Sequence, residues 1–275
     1  MIGFTRTFHL LKLESHTAEH LLKEAFSTLL RADFYSEGEG AFHSAFFNLT
    51  IGVERLLKIA LISNELVTAK NASPKPGHMK SAFSHNLSKT YAACISLVES
   101  RGVKTEPLSQ LQNEILYFLT EYAKGERYFH LNQLEAPSRE KDPVTNLQSI
   151  LRSLHESRIG YDRANLLFLK LLQRLDNTNI PNTYTYFTDS SGHPMTVAEI
   201  EHVRLMWKMN KKYLVLAIMR CLQPIRELLN MLSAEAIVME IEMGMKEMTI
   251  PDYADFFGFL EVDKESDIKN GLWRH

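Results

Sequence analysis

Residues 41–62, AFHSAFFNLTIGVERLLKIALI, decide the fold. Phe42, Phe46, Leu49, Val53, Leu56 and Ala60 recur at steps of four and three, the period that lines side chains along one helical face. Leu57 and Leu61 broaden that stripe to the width of a core-facing helix. Asn48, Glu54, Arg55 and Lys58 occupy the other side, and Glu54 with Lys58 has the spacing of a favourable ion pair along a helix. The stretch reads as the central helix of an all-α domain.

Working outward, Phe4–Leu13 is ambiguous between a strand and an arm laid on the core, and a clean helical pattern begins at Ala18 and runs to Ser36, Gly38 and Gly40. Pro74 and Pro76 make residues 71–77 a loop, since each lacks a donor and biases its predecessor away from helix. A helix resumes near Ser84 with Leu87, Tyr91, Cys94 and Val98 inward, and Thr105 with Pro107 starts another that runs to Gly125. Asp142-Pro143 opens a further helix, with a kink expected at Gly160. Residues 176–195 are the conspicuous non-helical segment, with an extended Tyr184–Thr188 run followed by a turn. Thr196 and Glu199 form a capping box; the helix they start kinks or ends at Pro224, and helical pattern resumes from Ile225 to Met248. The expected architecture is an up-and-down helical bundle with additional C-terminal helices, and with either one short β-hairpin or an ordered surface loop near 183–195. Residues 1–141 form the bundle, and residues 142–275 a second helical portion packed on it as one globular unit.

A chain of 275 residues with 45% hydrophobic and 23% charged content has the make-up of an ordinary globular protein. A net charge of -2 argues against broad capture of nucleic acid or anionic membrane, though not against a local basic face. Cys94 and Cys221 both fall in apolar helical patterns, which suits buried thiols rather than a disulfide framework. No secretory signal and no apolar run of the roughly 20 residues that span a bilayer is seen, so a cytoplasmic protein with no membrane contact is expected.

Four constellations could carry chemistry. His85 and Asn86, with Tyr91 one turn on, could hold an anion at a helix start or simply cap that helix. Arg127, Tyr128, Phe129, His130 and Asn132 could pair a cation with an imidazole for RNA backbone cleavage if extended; alternatively Arg127 fastens the chain to a carboxylate such as Glu54. Arg152, His155 and Arg158 lie near one helical face as a phosphate strip or a solvated surface. His16 and His20 with Glu24 have metal-compatible spacing but no clear further ligand, so no metal and no cofactor is expected. The absence of a Gly-rich phosphate loop, a Gly-x-Ser-x-Gly elbow and an HExxH motif excludes the common enzymes built on them. The methionines of the C-terminal helices read as core filler or as a soft partner-binding groove.

Taken together, Glu54 with Lys58, His85-Asn86-Leu87-Ser88-Lys89-Thr90-Tyr91 and Arg127-Tyr128-Phe129-His130-Leu131-Asn132 resemble motifs of the HEPN superfamily, helical-bundle proteins of toxin–antitoxin and phage-defence systems. Asn86 stands for the family's Asp, Thr90 for its Leu and Asn132 for its second Asp. The resemblance covers residues 41–134. It implies a bundle that commonly dimerises and, in many members, a metal-independent ribonuclease with Arg and His separated by four to six residues. No arginine here has a histidine at that distance, because Arg127/His130 and Arg152/His155 are closer. The expectation is therefore a HEPN-like, homodimeric protein that binds RNA, a nucleotide or a partner protein in defence or stress response. The alternatives are a ribonuclease using Arg127 and His130, and a purely structural interaction protein.

Overall fold

A computed structural model describes residues 3–33, 38–71, 84–125, 128–135, 143–176, 183–189 and 193–268. Helices are numbered in chain order among these residues. The ambiguity at the N-terminus resolves into a two-residue strand, β1 (Gly3–Phe4), and a helix, α1 (Arg6–Arg31), that begins well before Ala18. Thr5 starts it: its hydroxyl accepts the Phe8 amide at 3.1 Å.

The quoted stretch lies within α2 (Gly38–Thr68), which packs on α1, on α3 (Leu87–Ser100), on α4 (Gln110–Lys124) and on the later helices Pro143–Ile159 and Val197–Glu242. Phe42, Leu49, Leu56, Leu57 and Ala60 are fully buried, as the period of the stripe requires. Gly52 lets α1 and α2 meet, for a Cβ there would lie 2.9 Å from the Leu22 side chain and 3.2 Å from its backbone nitrogen. α4 starts later than Thr105 and Pro107 suggest. Ser109 and Gln112 complete a capping box, two reciprocal hydrogen bonds that outcompete a proline start.

After α5 (Phe129–Glu135) come α6 (Pro143–Ile159) and α7 (Tyr161–Asp176), separated at Gly160 by a φ of 79° that ends one helix rather than kinking it. Strands β2 (Tyr184–Thr188) and β3 (Pro194–Thr196) form an antiparallel hairpin, with Tyr184 opposite Thr196. The capping box at Thr196 and Glu199 then launches α8 (Val197–Glu242).

α8 is the second organising element. Its 46 residues span about 69 Å at the usual rise, and it packs on α1, α2, α3, α4, α6 and α7. Pro224 does not end it. The proline leaves the Arg220 carbonyl without its helical donor, yet Leu222 and Ile225 are buried on either side. Gln223 Nε2 donates to Val262 O at 3.2 Å and the Arg220 guanidinium to Asp263 O, so packing and side-chain anchors carry the helix through. The helix stops at Glu242, short of the expected Met248. The buried Glu240 carboxylate accepts the Thr249 amide at 2.6 Å and folds the chain back, so that β4 (Glu247–Met248) pairs in parallel with β1. A short helix, α9 (Ala254–Phe257), and two 3-10 turns follow.

One hydrophobic core runs through both halves of the chain. Trp207 of α8 meets Phe42 of α2 edge-on at 4.8 Å and donates to Ala32 O at 2.9 Å. Both cysteines are free and buried. The division expected at residues 141 and 142 falls outside the described residues.

Candidate functional site

Glu54, Lys58 and His85 meet. One carboxylate oxygen of Glu54 takes the Lys58 ammonium one turn on, and the other lies 3.0 Å from His85 Nδ1. Burial pushes the Glu54 carboxyl up, but the hydrogen bonds from Lys58 and His85 outweigh it and leave the group below its ordinary range. Asn86 caps α3, its side chain accepting the Lys89 amide at 3.0 Å. Tyr91 is buried and donates to the Cys221 carbonyl of α8 at 3.0 Å; burial raises its phenol well above the usual range. These contacts fasten α2, α3 and α8 together. That geometry fits the capping alternative raised by the sequence.

Arg127 lies outside the described residues, and of His130 only the backbone is described. That backbone is helical in α5, not extended, so the alternation proposed for residues 127–130 does not hold from Phe129 onward. Asn132 is exposed on a cleft of about 690 Å³ between α4, α5 and α6, whose walls include Tyr117, Glu121 and Phe129 but none of Glu54, Lys58 or His85. The family-like segments therefore do not converge on one site among the described residues.

The strip on α6 divides three ways. His155 is 1% exposed. Its Nδ1 lies 2.9 Å from Asn210 Nδ2, while Asn210 Oδ1 accepts from the Arg158 guanidinium at 2.9 Å. Because that oxygen is fixed by Arg158, the amide nitrogen must donate to His155, and the neutral ring carries its proton on Nε2. Nε2 is buried with no hydrogen-bond partner among the described residues. Burial lowers the His155 pKa, Glu156 works against that, and Arg158 adds to it. Arg158 also reaches Met209 O and Glu265, and its guanidinium lies over the Tyr213 ring at 4.4 Å. It ties α6 to α8 and the C-terminal turn. Sequence spacing placed these residues on one face; the approach of α8 buries one and engages another.

Arg152 is the exception. It lines a cleft of about 490 Å³ between α6, the hairpin and α8, together with Ser149, Glu156, Asp189, Glu199 and His202. The Arg152 guanidinium makes no hydrogen bond or ion pair with any described residue, although Glu156 stands one turn on. His202 is a site residue that sequence reasoning missed. It lies on α8 between the buried Ile200 and Val203, and only the fold sets it beside Arg152. Its ring stacks on Phe168 of α7 at 4.3 Å and stands edge-on to His155 at 6.5 Å. Burial, then the neighbouring His155 and Arg152, push His202 down to about 4, so it is neutral at physiological pH.

His16 pairs with Glu19 at 3.5 Å and packs edge-on against Phe256. No group of three metal-ligating side chains, and no helix long and apolar enough to cross a membrane, occurs among the described residues. Comparison of the chain with protein-family models, with characterised proteins and with solved structures gave no match.

Proposed function

We propose that this chain is a binding protein that takes a phosphate-bearing ligand, a nucleotide or RNA, in the cleft between α6, the hairpin and α8. One observation carries it. Arg55, Arg101, Arg158, Arg204 and Arg226 each hold a carboxylate of another element, whereas the Arg152 guanidinium bonds to no described residue and lines a cleft. Arg6, Arg163 and Arg174 are likewise without an ion pair among the described residues, so it is the cleft that sets Arg152 apart. A planar guanidinium offers paired donors that match a phosphate, and its charge strengthens those hydrogen bonds.

The HEPN-like patterns over residues 41–134 support the same class, including a homodimer, and the missing Arg-x4-6-His spacing supports binding over cleavage. The lowered pKa values of His155 and His202 point the same way, since an acid–base imidazole works best when it titrates near the operating pH. The test is equilibrium binding of adenosine 5′-monophosphate and of a fluorescent single-stranded RNA to the wild-type protein and to Arg152→Ala. A loss of tenfold or more for the ligand that binds is expected. Binding unchanged by the substitution, or none by the wild type, would refute the proposal. Metal-free incubation with total RNA, wild type beside His130→Ala and His155→Ala, checks the ribonuclease alternative: cleavage that either substitution abolishes would favour it.

A further inference from the structure

The cleft has a second character besides its cation. Glu156, Asp189 and Glu199 line it with Arg152, so its walls carry more negative than positive side chains. Two of the carboxylates already serve the backbone. Glu199 accepts from the Thr196 amide at 2.7 Å and from its hydroxyl at 2.9 Å, and Asp189 accepts the His193 amide at 3.0 Å. The Glu156 carboxylate makes no hydrogen bond or ion pair with any described residue. Arg152 and Glu156 are four residues apart on α6 in the order that favours pairing less, and each is left to the cleft. One wall thus offers an unengaged donor fork and the same helix, a turn further, an unengaged acceptor.

An ionised carboxylate only accepts hydrogen bonds, so the acidic side requires a ligand with donors close to its anionic group. A polynucleotide suits the site poorly. Its backbone brings a phosphate at every residue, and proteins that hold it use a continuous positive groove; here the second and third phosphates would approach carboxylates. The volume of about 490 Å³ lies in the small-molecule range.

Resting on the cleft being the binding site, we infer that its ligand is one small phosphate monoester of a polyol, with the phosphate on Arg152 and adjacent hydroxyls on Glu156. A sugar phosphate and a nucleoside monophosphate share this chemistry. Each places a terminal phosphate beside a sugar whose hydroxyls donate to carboxylates.

The test is calorimetric titration of the full chain with ribose 5-phosphate, adenosine 5′-monophosphate, ribose, inorganic phosphate and an RNA oligomer lacking terminal phosphates. Wild type is compared with Arg152→Ala and Glu156→Gln. Ribose 5-phosphate is expected to bind at least tenfold more tightly than ribose or phosphate alone. Arg152→Ala should weaken it tenfold or more. Glu156→Gln should act with opposite signs, weakening ribose 5-phosphate several-fold while strengthening inorganic phosphate, a crossing that a general folding defect would not produce. Equal affinity for the two monoesters assigns the site to the sugar phosphate, and a tenfold preference for the nucleotide assigns it to the nucleoside monophosphate. If Glu156→Gln strengthens both anions alike, or the RNA oligomer binds more tightly than either monoester in an Arg152-dependent way, the inference fails while the phosphate-binding function stands. No binding by any probe overturns both.

Discussion

Asn210 is where the positioning of the cleft can be put at risk without touching it. The residue is fully buried on α8. Its amide donates to His155 and to Met206 O at 2.7 Å, and its carbonyl accepts from Arg158. Asn210→Leu keeps the approximate volume and removes all three. His155 Nδ1 becomes an orphaned buried acceptor at a cost of about 1–3 kcal/mol, and a hydrogen bond to a charged group is worth about 1.5–3 kcal/mol. Arg158 retains Met209 O and Glu265, so only part of the second figure is lost, and the apolar side chain returns a little. The net expectation is a loss of about 2–4 kcal/mol. Asn210→Asp is the informative partner. The new carboxylate still accepts from Arg158 and draws a proton onto His155 Nδ1, but it can no longer donate to Met206 O, so a loss remains, and it shrinks as pH is lowered and His155 takes up its proton. Urea unfolding with a constant m-value measures both. A cost below about 0.5 kcal/mol for the leucine variant, or equal costs for the two at every pH, would refute the tautomer and the hub derived from it.

Three further outcomes follow from the packing. Tyr91→Phe removes the buried hydrogen bond to Cys221 O and should cost about 1 kcal/mol in chemical unfolding, with no effect on ligand binding at the cleft. Gly52→Ala gains about 1 kcal/mol of helix propensity but sets a methyl 3.2 Å from the Leu22 backbone nitrogen, where overpacking costs about 1–3 kcal/mol; a lowered melting temperature is expected, and a raised one would show that α1 and α2 can separate cheaply. His202 has a folded pKa of about 4, below the unfolded value. The unfolded chain therefore binds the proton first, and stability should fall as pH drops from about 6.5 toward 4. His202→Gln should flatten that part of the stability–pH curve measured by denaturant titration.

The all-α class was legible because hydrophobic period is a local property. Phe42 to Ala60 repeats every three to four residues, and no distant contact is needed to see which side must be buried. The caps at Asn86 and at Thr196 with Glu199 were legible for the same reason, as was the extended run before α8. Other boundaries moved where a distant contact outweighed local preference. Pro224 did not end α8 because Leu222 and Ile225 pack and because Arg220 and Gln223 are held by the C-terminal segment. The helix stopped before Met248 because Glu240 captures the Thr249 amide.

The candidate cleft divides in the same way. Arg152, His155 and Arg158 were visible as a strip, since three-residue steps share a helical face whatever packs against it. Their separate fates were not, because spacing along one helix says nothing about which neighbour arrives. Asn210 belongs to a helix some fifty residues on and selects His155 for burial. Phe168 and the hairpin bring His202 beside Arg152, a pairing with no signature in either segment alone. The sequence by itself determined the elements of this protein and the faces they bury, through periodicity and caps that act over a few residues. Only the tertiary structure decided which polar groups lock the bundle and which remain unengaged, because a charge is neutralised, desolvated or left open by whatever long-range packing sets against it.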